Sequence, residues 1–299
     1  MIVAIAGGSG FIGEAITDEL LKHGHQVCWL TRDAASAANK RNVEYIQWLN
    51  EGDQPENRLE GVNAIINLAG ESLSSGRWTP ARKSRILESR LHATAEIKRI
   101  IRALSHKPSV LLNASAVGYY GTSTRQTFTE EHQVQPSDFL SQVVCQWEAE
   151  ADGAGIRTVL MRFGVVLGQG EGALPRMALP YKLGFGGTLG SGRQIVSWIH
   201  IRDVVRAMLF CMDQPSLQGP VNFTSPKPLT MKAFGQTIGK VLGKPHYLPA
   251  PAFAIKLLLG EMSVMALEGQ AVLPQKLVES GFEFLFSSPE GALKDCLLP

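Results

Sequence analysis

Cysteine is sparse in this chain: Cys28, Cys145, Cys211 and Cys296 are the four among 299 residues, and none belongs to a Cys-x-x-Cys pair. Thiols so far apart give no sign of a disulfide framework and point to reduced cysteines in a cytoplasmic setting. Long apolar runs are missing too. Ile2–Ala6 is far too short to span a bilayer and lacks a basic leader, and Phe253–Leu259 is interrupted by Lys256, so no membrane partner is expected. A surplus of one charge is also lacking: 29 Lys and Arg against 27 Asp and Glu leave +2, with 44% hydrophobic and 19% charged residues. That composition describes an ordinary globular protein and singles out no partner.

Two local patterns invite stronger readings that the rest of the chain does not support. Nine basic and two acidic residues fall between Arg77 and Lys107. Aromatic residues are scarce there, so a solvated helix face is expected and no nucleic acid. His200 and Asp203 resemble a metal pair, but no third or fourth ligand stands at a zinc-like spacing. Structural roles and no metal are the expectation.

The most informative segment is Gly7-Gly8-Ser9-Gly10-Phe11-Ile12-Gly13. A short apolar strand, Ile2–Ala6, precedes it, and an amphipathic stretch from Phe11 to His23 follows and stops at Gly24. Glycines there let the backbone turn tightly and approach a pyrophosphate. The helix behind them offers unpaired N–H groups and the positive end of its dipole. The strand before and the helix after turn a common glycine triplet into a dinucleotide signature, placing Gly7, Gly10, Phe11, Ile12 and Gly13 at a cofactor.

Further buried strands are predicted at Val27–Thr31, Ala64–Leu68, Val110–Ala114 and Thr158–Phe163, with helices over Thr79–Leu104 and Phe139–Asp152 between them. Strands alternating with helices require crossover connections. The fold class is therefore α/β, a doubly wound parallel sheet of the Rossmann kind. After Gly164 the chain becomes rich in glycine loops, returns to strand–helix character over Trp198–Cys211, and from Gly219 carries many prolines. The expected division is a cofactor domain of residues 1–165 with 195–218, and a smaller, mostly helical C-terminal substrate domain of 166–194 with 219–299.

In such folds the end of the second strand meets the adenosine ribose, where an acid favours NAD. Here that place reads Leu30-Thr31-Arg32, with Asp33 only afterwards. A hydroxyl and a guanidinium suit a 2′-phosphate, which predicts NADP(H) held by Thr31 and Arg32. Asn67-Leu68-Ala69-Gly70 closes the strand from Ala64 with small residues, so Leu68, Ala69 and Gly70 can lie beside the adenosine. Arg193 and Gln194, after a glycine-rich loop, are candidate substrate ligands for a phosphate or carboxylate.

With these pieces in place the chain resembles an atypical extended short-chain dehydrogenase/reductase, within the superfamily of NAD-dependent epimerases and dehydratases. The branch is one designated only as epimerase family proteins. The resemblance runs through the glycine turn, Asn67-Leu68-Ala69-Gly70-Glu71, Arg77-Trp78-Thr79 and Ser89-Arg90. It continues through Ser115-Ala116-Val117-Gly118-Tyr119-Tyr120-Gly121, Trp147-Glu148-Ala149, Arg162-Phe163-Gly164-Val165-Val166-Leu167-Gly168 and Gly190-Ser191-Gly192-Arg193-Gln194. It implies that Thr31, Arg32, Leu68, Ala69, Arg90 and Arg162 line the NADP(H) site. It also implies a homodimer formed through the two long helices.

Working members of that superfamily carry Tyr-x-x-x-Lys on the helix that here reads Phe139-Leu-Ser-Gln-Val-Val-Cys-Gln-Trp-Glu-Ala, and the pair occurs nowhere in this chain. Ser115, Tyr119 and Tyr120, at the end of the strand from Val110, are the substitute catalytic candidates. A protonated Tyr can donate to a carbonyl but is a poor base, which favours reduction over oxidation. The leading expectation is an NADP(H)-dependent oxidoreductase acting on a small molecule, phosphorylated or a nucleotide sugar. A catalytically silent NADP(H)-binding redox sensor is the alternative. An epimerase stands third, because it must both oxidise and reduce.

Overall fold

A computed structural model describes residues 1–35 and 40–298. The first strand, β1 (Ile2–Ala6), leads through the glycine turn into α1 (Phe11–Lys22), then β2 (Gln26–Thr31) and β3 (Val43–Gln47). Next come β4 (Ala64–Asn67), α2 (Pro80–Ala103), β5 (Val110–Ala116), the short β6 (Thr127–Phe128), α3 (Phe139–Ala151) and β7 (Arg157–Phe163). After these follow β8 (Val165–Leu167), α4 (Leu174–Lys182), β9 (Ile195–Val196), β10 (Trp198–His200), α5 (Ile201–Asp213) and β11 (Gly219–Phe223). The remainder is β12 (Leu229–Thr230), α6 (Met231–Leu242), α7 (Ala252–Leu259), α8 (Val264–Leu267), β13 (Ala271–Val272), α9 (Gln275–Glu279) and α10 (Pro289–Leu297).

Seven strands form one sheet in the order β11-β7-β5-β4-β1-β2-β3, and every pairing in it is parallel. Side chains alternate across it, as the two-residue period of a strand requires. Val3, Ile5, Ile66, Leu112 and Met161 face a core shared with Ile16 and Leu20 of α1 and Val204 and Met208 of α5. Ala4, Ala6, Ile65 and Leu111 face the opposite core with Ala93, Ile97 and Ile101 of α2. Burial on both faces is why these strands read as continuous apolar runs rather than alternating ones. The doubly wound expectation is met. The chain reverses direction across the sheet between β1 and β4, so a crevice opens at their carboxyl ends.

Helix ends follow local chemistry. Thr79 caps α2, its hydroxyl accepting from the Arg82 amide at 3.3 Å, with Pro80 at the first helical position. Asp138 and Ser141 form a reciprocal capping box on α3. The C-terminal part packs α4, α6 and α10 around a third core that includes Leu174, Tyr181, Trp198, Phe234 and Leu293. Two elements depart from the sequence reading. β3 was not anticipated, because Val43-Glu-Tyr-Ile-Gln is half polar, as befits an edge strand. β11 lies beyond the expected division at 218, yet pairs with β7 as the opposite edge of the main sheet.

All four cysteines are free, and among the described residues no helix is long and apolar enough to cross a membrane. The basic run on α2 is largely paired: Arg82 and Arg85 with Glu71, Lys98 with Glu150, Arg99 with Glu56 and Glu96.

Candidate functional site

The glycine turn at the end of β1 is built by close approach. Gly7 has φ +79°, and a Cβ there would lie 2.9 Å from the Leu68 carbonyl carbon and oxygen. A Cβ on Gly13 would stand 2.2 Å from the Gly7 oxygen, so α1 can rest on the turn only through glycine. Gly10 caps α1 with no side-chain acceptor, which leaves the first amides, at Phe11, Ile12 and Gly13, available to an anion. The Phe11 ring packs under Gly168 and Gly172, and Ile12 joins the main core, so both side chains anchor a helix start whose backbone faces the crevice. Behind them Trp29 Nε1 donates to Thr17 Oγ1 at 2.9 Å, and Thr17 Oγ1 donates to the Gly13 oxygen at 2.7 Å.

At the end of β2, Thr31 is half-buried and turned inward on Asp33, while Arg32 is exposed. Asn50 Nδ2 donates to the Arg32 carbonyl at 3.0 Å, pinning its backbone, and the guanidinium makes no hydrogen bond or ion pair with any described residue.

The end of β4 is braced from below. Asn67 Nδ2 donates to Asn113 Oδ1 at 2.7 Å and to Thr94 Oγ1 at 3.2 Å, and Trp147 Nε1 donates to the same threonine at 3.1 Å. Asn67 Oδ1 accepts from the Ala69 amide at 3.2 Å, which holds Leu68, Ala69 and Gly70 across the crevice from the glycine turn. Arg90 closes this side. Its Nη1 donates to the carbonyls of Glu71 at 3.0 Å and Ile86 at 2.8 Å, and its guanidinium lies 5.1 Å from the Trp147 ring. Burial pulls its pKa down to about 10, against the opposing charge of Glu71. A half-buried cation with no carboxylate in salt-bridge contact among the described residues is suited to an anionic ligand.

Beyond the end of β5 lies a buried polar network. Ser115, Glu148 and Arg162 are all buried. Ser115 Oγ donates to Glu148 Oε1 at 2.5 Å, and Arg162 grips the same carboxylate through Nε at 2.8 Å and Nη2 at 2.7 Å. Arg162 Nη1 donates to the Tyr120 hydroxyl at 2.9 Å, and that hydroxyl donates onward to Asn222 Oδ1 at 2.8 Å. Burial opposes the Arg162 charge, yet Glu148 holds its pKa above the usual arginine value. Burial likewise pushes the Tyr120 phenol up. Arg162, expected beside the cofactor, makes its hydrogen bonds within this network, and the Tyr119 ring lies 3.4 Å from its guanidinium. In this network the hydroxyls of Ser115 and Tyr120 donate to Glu148 and Asn222. Tyr119 is half-buried, and its hydroxyl makes no hydrogen bond to any described residue.

Where α3 meets the turn at Gly118 its side chains are apolar. A Cβ at Gly118 would lie 3.6 Å from Leu140 Cβ and 3.7 Å from Val144 Cγ2. Leu140 and Val144 are four residues apart, the spacing of a Tyr-x-x-x-Lys pair, and offer neither a proton nor a charge. Arg193 is exposed. Gln194 is instead buried, its Nε2 donating to the carbonyls of Leu189 at 3.1 Å and Ala266 at 2.8 Å. It therefore ties its loop to α8. Its Oε1 is buried without a partner among the described residues.

His200 and Asp203 hold the start of α5, as expected. The His200 ring accepts from the Arg202 amide at 3.1 Å, and Asp203 accepts from the amides of Leu285 at 2.8 Å and Phe286 at 2.9 Å. Asp295 and Cys296 bring ligand-type atoms within 4.8 Å of His200. Burial pushes the Cys296 thiol up to about 12, and Arg202 stands 3.5 Å from the Asp295 carboxylate.

Glu148, Asn222 and the Asn67–Asn113–Thr94–Trp147 chain were assigned no role from sequence. Glu148 lies in a motif that carried the resemblance, but only the fold shows that it faces Arg162.

A family model described as the NAD dependent epimerase/dehydratase family matches residues 3–223, ending on the last residue of β11, and a domain of unknown function, DUF1731, matches residues 250–296. The epimerase family protein YfhF of Bacillus subtilis is 46% identical over 300 residues, covering 99% of this chain and 98% of its own. The human epimerase family protein SDR39U1 (isoform 2), crystallised with NADPH, superposes with a TM-score of 0.88 at 32% identity, over 99% of this chain and 98% of that one. A UDP-N-acetylglucosamine 4-epimerase from Bacillus cereus shares the fold, with a TM-score of 0.76 at 18% identity and coverage of 99% and 97%.

Proposed function

Since the chain belongs to the NAD dependent epimerase/dehydratase family, we propose that it is an NADP(H)-dependent oxidoreductase that reduces a small carbonyl compound. The observation that carries this reading is the pairing of an uncapped α1 amino terminus with an Arg32 guanidinium, at the end of β2, that has no partner among the described residues. The first suits a pyrophosphate and the second a 2′-phosphate. The human relative's crystallisation with NADPH supports the same choice of cofactor.

In this reading Gly7, Gly10, Phe11, Ile12 and Gly13 hold the pyrophosphate, Leu68, Ala69 and Gly70 the adenosine, and Arg90 adds positive charge across the crevice. Bound nicotinamide supplies the hydride. Tyr119, its hydroxyl uncommitted, donates the proton that the new alkoxide requires. Arg162, Glu148 and Ser115 position the Tyr119 turn from beneath. Arg193, exposed on its loop, meets a phosphate on the substrate, in the manner of a phosphorylated metabolite or nucleotide sugar. The cofactor unit then spans residues 1–165 with 195–223, and the substrate unit 166–194 with 224–299.

The second reading, a catalytically silent NADP(H)-binding sensor, is favoured by one observation: Leu140 and Val144 face the site where catalytic side chains would stand. An epimerase needs a base as well as an acid, and that apolar face supplies none. Stereospecifically deuterated NADPH incubated with the protein and a metabolite extract separates the readings. Label passing into a metabolite supports the reductase, and label that never leaves the nucleotide supports the sensor. Titration with neither NADPH nor NADH binding at millimolar concentration overturns both.

A further inference from the structure

Between residues 214 and 260 there is no Asp or Glu, against five lysines: Lys227, Lys232, Lys240, Lys244 and Lys256. Residues 172–202 are equally free of acids and add Arg176, Lys182, Arg193 and Arg202. In a chain of nearly balanced charge, this concentrates basic residues on one part of the molecule. Lys240 is answered by Glu290 and Arg202 by Asp295. Lys182, Lys232, Lys244 and Lys256 are exposed and form no ion pair with a carboxylate among the described residues.

The same segments expose large apolar side chains. Leu257 is 80% exposed, Phe253 73% and Leu258 71%, all on α7 beside Lys256. Phe253 and Leu257 are four residues apart and so share one side of the helix. At the end of α4, Leu179, Leu183 and Phe185 are also exposed, as are Tyr247 and Leu248 on the segment after Lys244. Backbone bonds join these pieces. The amides of Tyr247 and Leu248 donate to the Gly186 carbonyl at 2.9 and 3.1 Å, and the Gly190 amide donates to Ala250, just before α7, at 2.9 Å. Monomeric soluble proteins seldom leave large apolar patches uncovered.

We propose that this surface docks peripherally on an anionic lipid bilayer, the apolar tips entering the interface and Lys182, Lys232, Lys244 and Lys256 facing the headgroups. Charge selects the occupant. A second copy in a two-fold arrangement would set lysines against lysines, and Glu261, next to α7, is already paired with Lys83. Protruding tips on a short helix suit a deformable lipid surface, into which single side chains can sink. The expectation of no membrane partner rested on the absence of a spanning run. This signal is dispersed over three elements and is brought together only by the fold. It is independent of the proposed redox chemistry.

Co-sedimentation of the full-length protein with vesicles tests it. Binding is expected to vesicles of phosphatidylcholine mixed with phosphatidylglycerol, to weaken as salt rises, and to be much weaker to phosphatidylcholine alone. Lys244→Glu with Lys256→Glu is expected to lower the anionic-vesicle affinity about 25-fold or more, taking roughly fivefold per charge lost near the surface. Phe253→Ser with Leu257→Ser is expected to abolish sedimentation. Because all four positions are exposed, unchanged nucleotide binding and thermal melting establish that the variants are folded. The proposal is overturned by failure to bind anionic vesicles at low salt, or by equal binding to both vesicle types. It is also overturned by apolar substitutions without effect, or by a concentration-dependent dimer in sedimentation equilibrium that those substitutions dissociate.

Discussion

Replacing Glu148 with Leu removes the carboxylate that pairs with Arg162, whose side chain is 3% exposed. Two hydrogen bonds of 2.8 and 2.7 Å disappear, together with the acceptor for the Ser115 hydroxyl. The guanidinium is left buried and uncompensated, a situation that destabilises proteins by about 3–5 kcal/mol. At about 2 °C per kcal/mol for a chain of this size, the melting temperature should fall by roughly 6–10 °C. Urea unfolding should register the same loss as an earlier midpoint with an unchanged slope. The informative comparison adds Arg162→Met, alone and combined with Glu148→Leu. If the penalty is an orphaned charge, the double variant should be more stable than Glu148→Leu by itself, a coupling that a double-mutant cycle reads directly. Strictly additive losses would refute the reasoning and show that the pair acts only through packing. NADPH affinity should stay close to that of the parent protein, because the pair lies beneath the Tyr119 turn and away from the glycine cradle.

Other expectations follow from single geometries. Arg32→Ala should weaken NADPH binding about 10- to 100-fold, the worth of hydrogen bonds to a charged group, and leave NADH affinity unchanged; isothermal titration with both nucleotides decides. Gly13→Ala, whose Cβ would stand 2.2 Å from the Gly7 oxygen, should destabilise the fold by about 1–3 kcal/mol and abolish nucleotide binding, with full retention of both counting against the cradle. Tyr119→Phe should lower any NADPH-dependent reduction by about 10²–10⁴ without changing nucleotide affinity, and unaltered turnover removes Tyr119 as the acid. Burial holds the Glu130 carboxyl above its usual range, although the Asn222 and Lys276 amides pull it down. The folded state therefore binds more protons there than the unfolded chain. The resulting stability is full below the usual carboxyl pKa and is lost as pH rises through the native value. The stability of Glu130→Gln relative to the parent should accordingly rise with pH in urea titrations, and a pH-independent difference would exclude this account.

The legible parts of this molecule were those governed by local rules. Ile2–Ala6 followed by glycines could be read as strand and turn, because burial on both faces of a parallel sheet demands an apolar run and close approach demands glycine. The helical pattern from Thr79 to Leu104 matches α2, whose start Thr79 caps. What stayed hidden depended on partners far along the chain. Glu148 looks like any helical glutamate until β7 brings Arg162 beside it, and Tyr120 looks like a free phenol until Asn222 arrives from β11, 102 residues away. Val43–Gln47 was passed over because an edge strand need not be apolar. Gln194 shows another kind of hidden partner: the sequence placed it after a glycine loop, and only the fold shows its amide bonded to Ala266 of α8.

The position of Trp29 beneath the phosphate turn has a practical consequence. A Cβ on Gly8 would stand 2.5 Å from its indole ring, and the ring nitrogen is fixed to Thr17. The protein thus contains a native fluorophore directly under the cradle, whereas Trp48, Trp78, Trp147 and Trp198 are set in other parts of the sequence and packing. Emission lost in a Trp29→Phe variant would identify the quantum yield belonging to that indole. Its quenching on nucleotide addition would then report occupancy in real time, with no label attached.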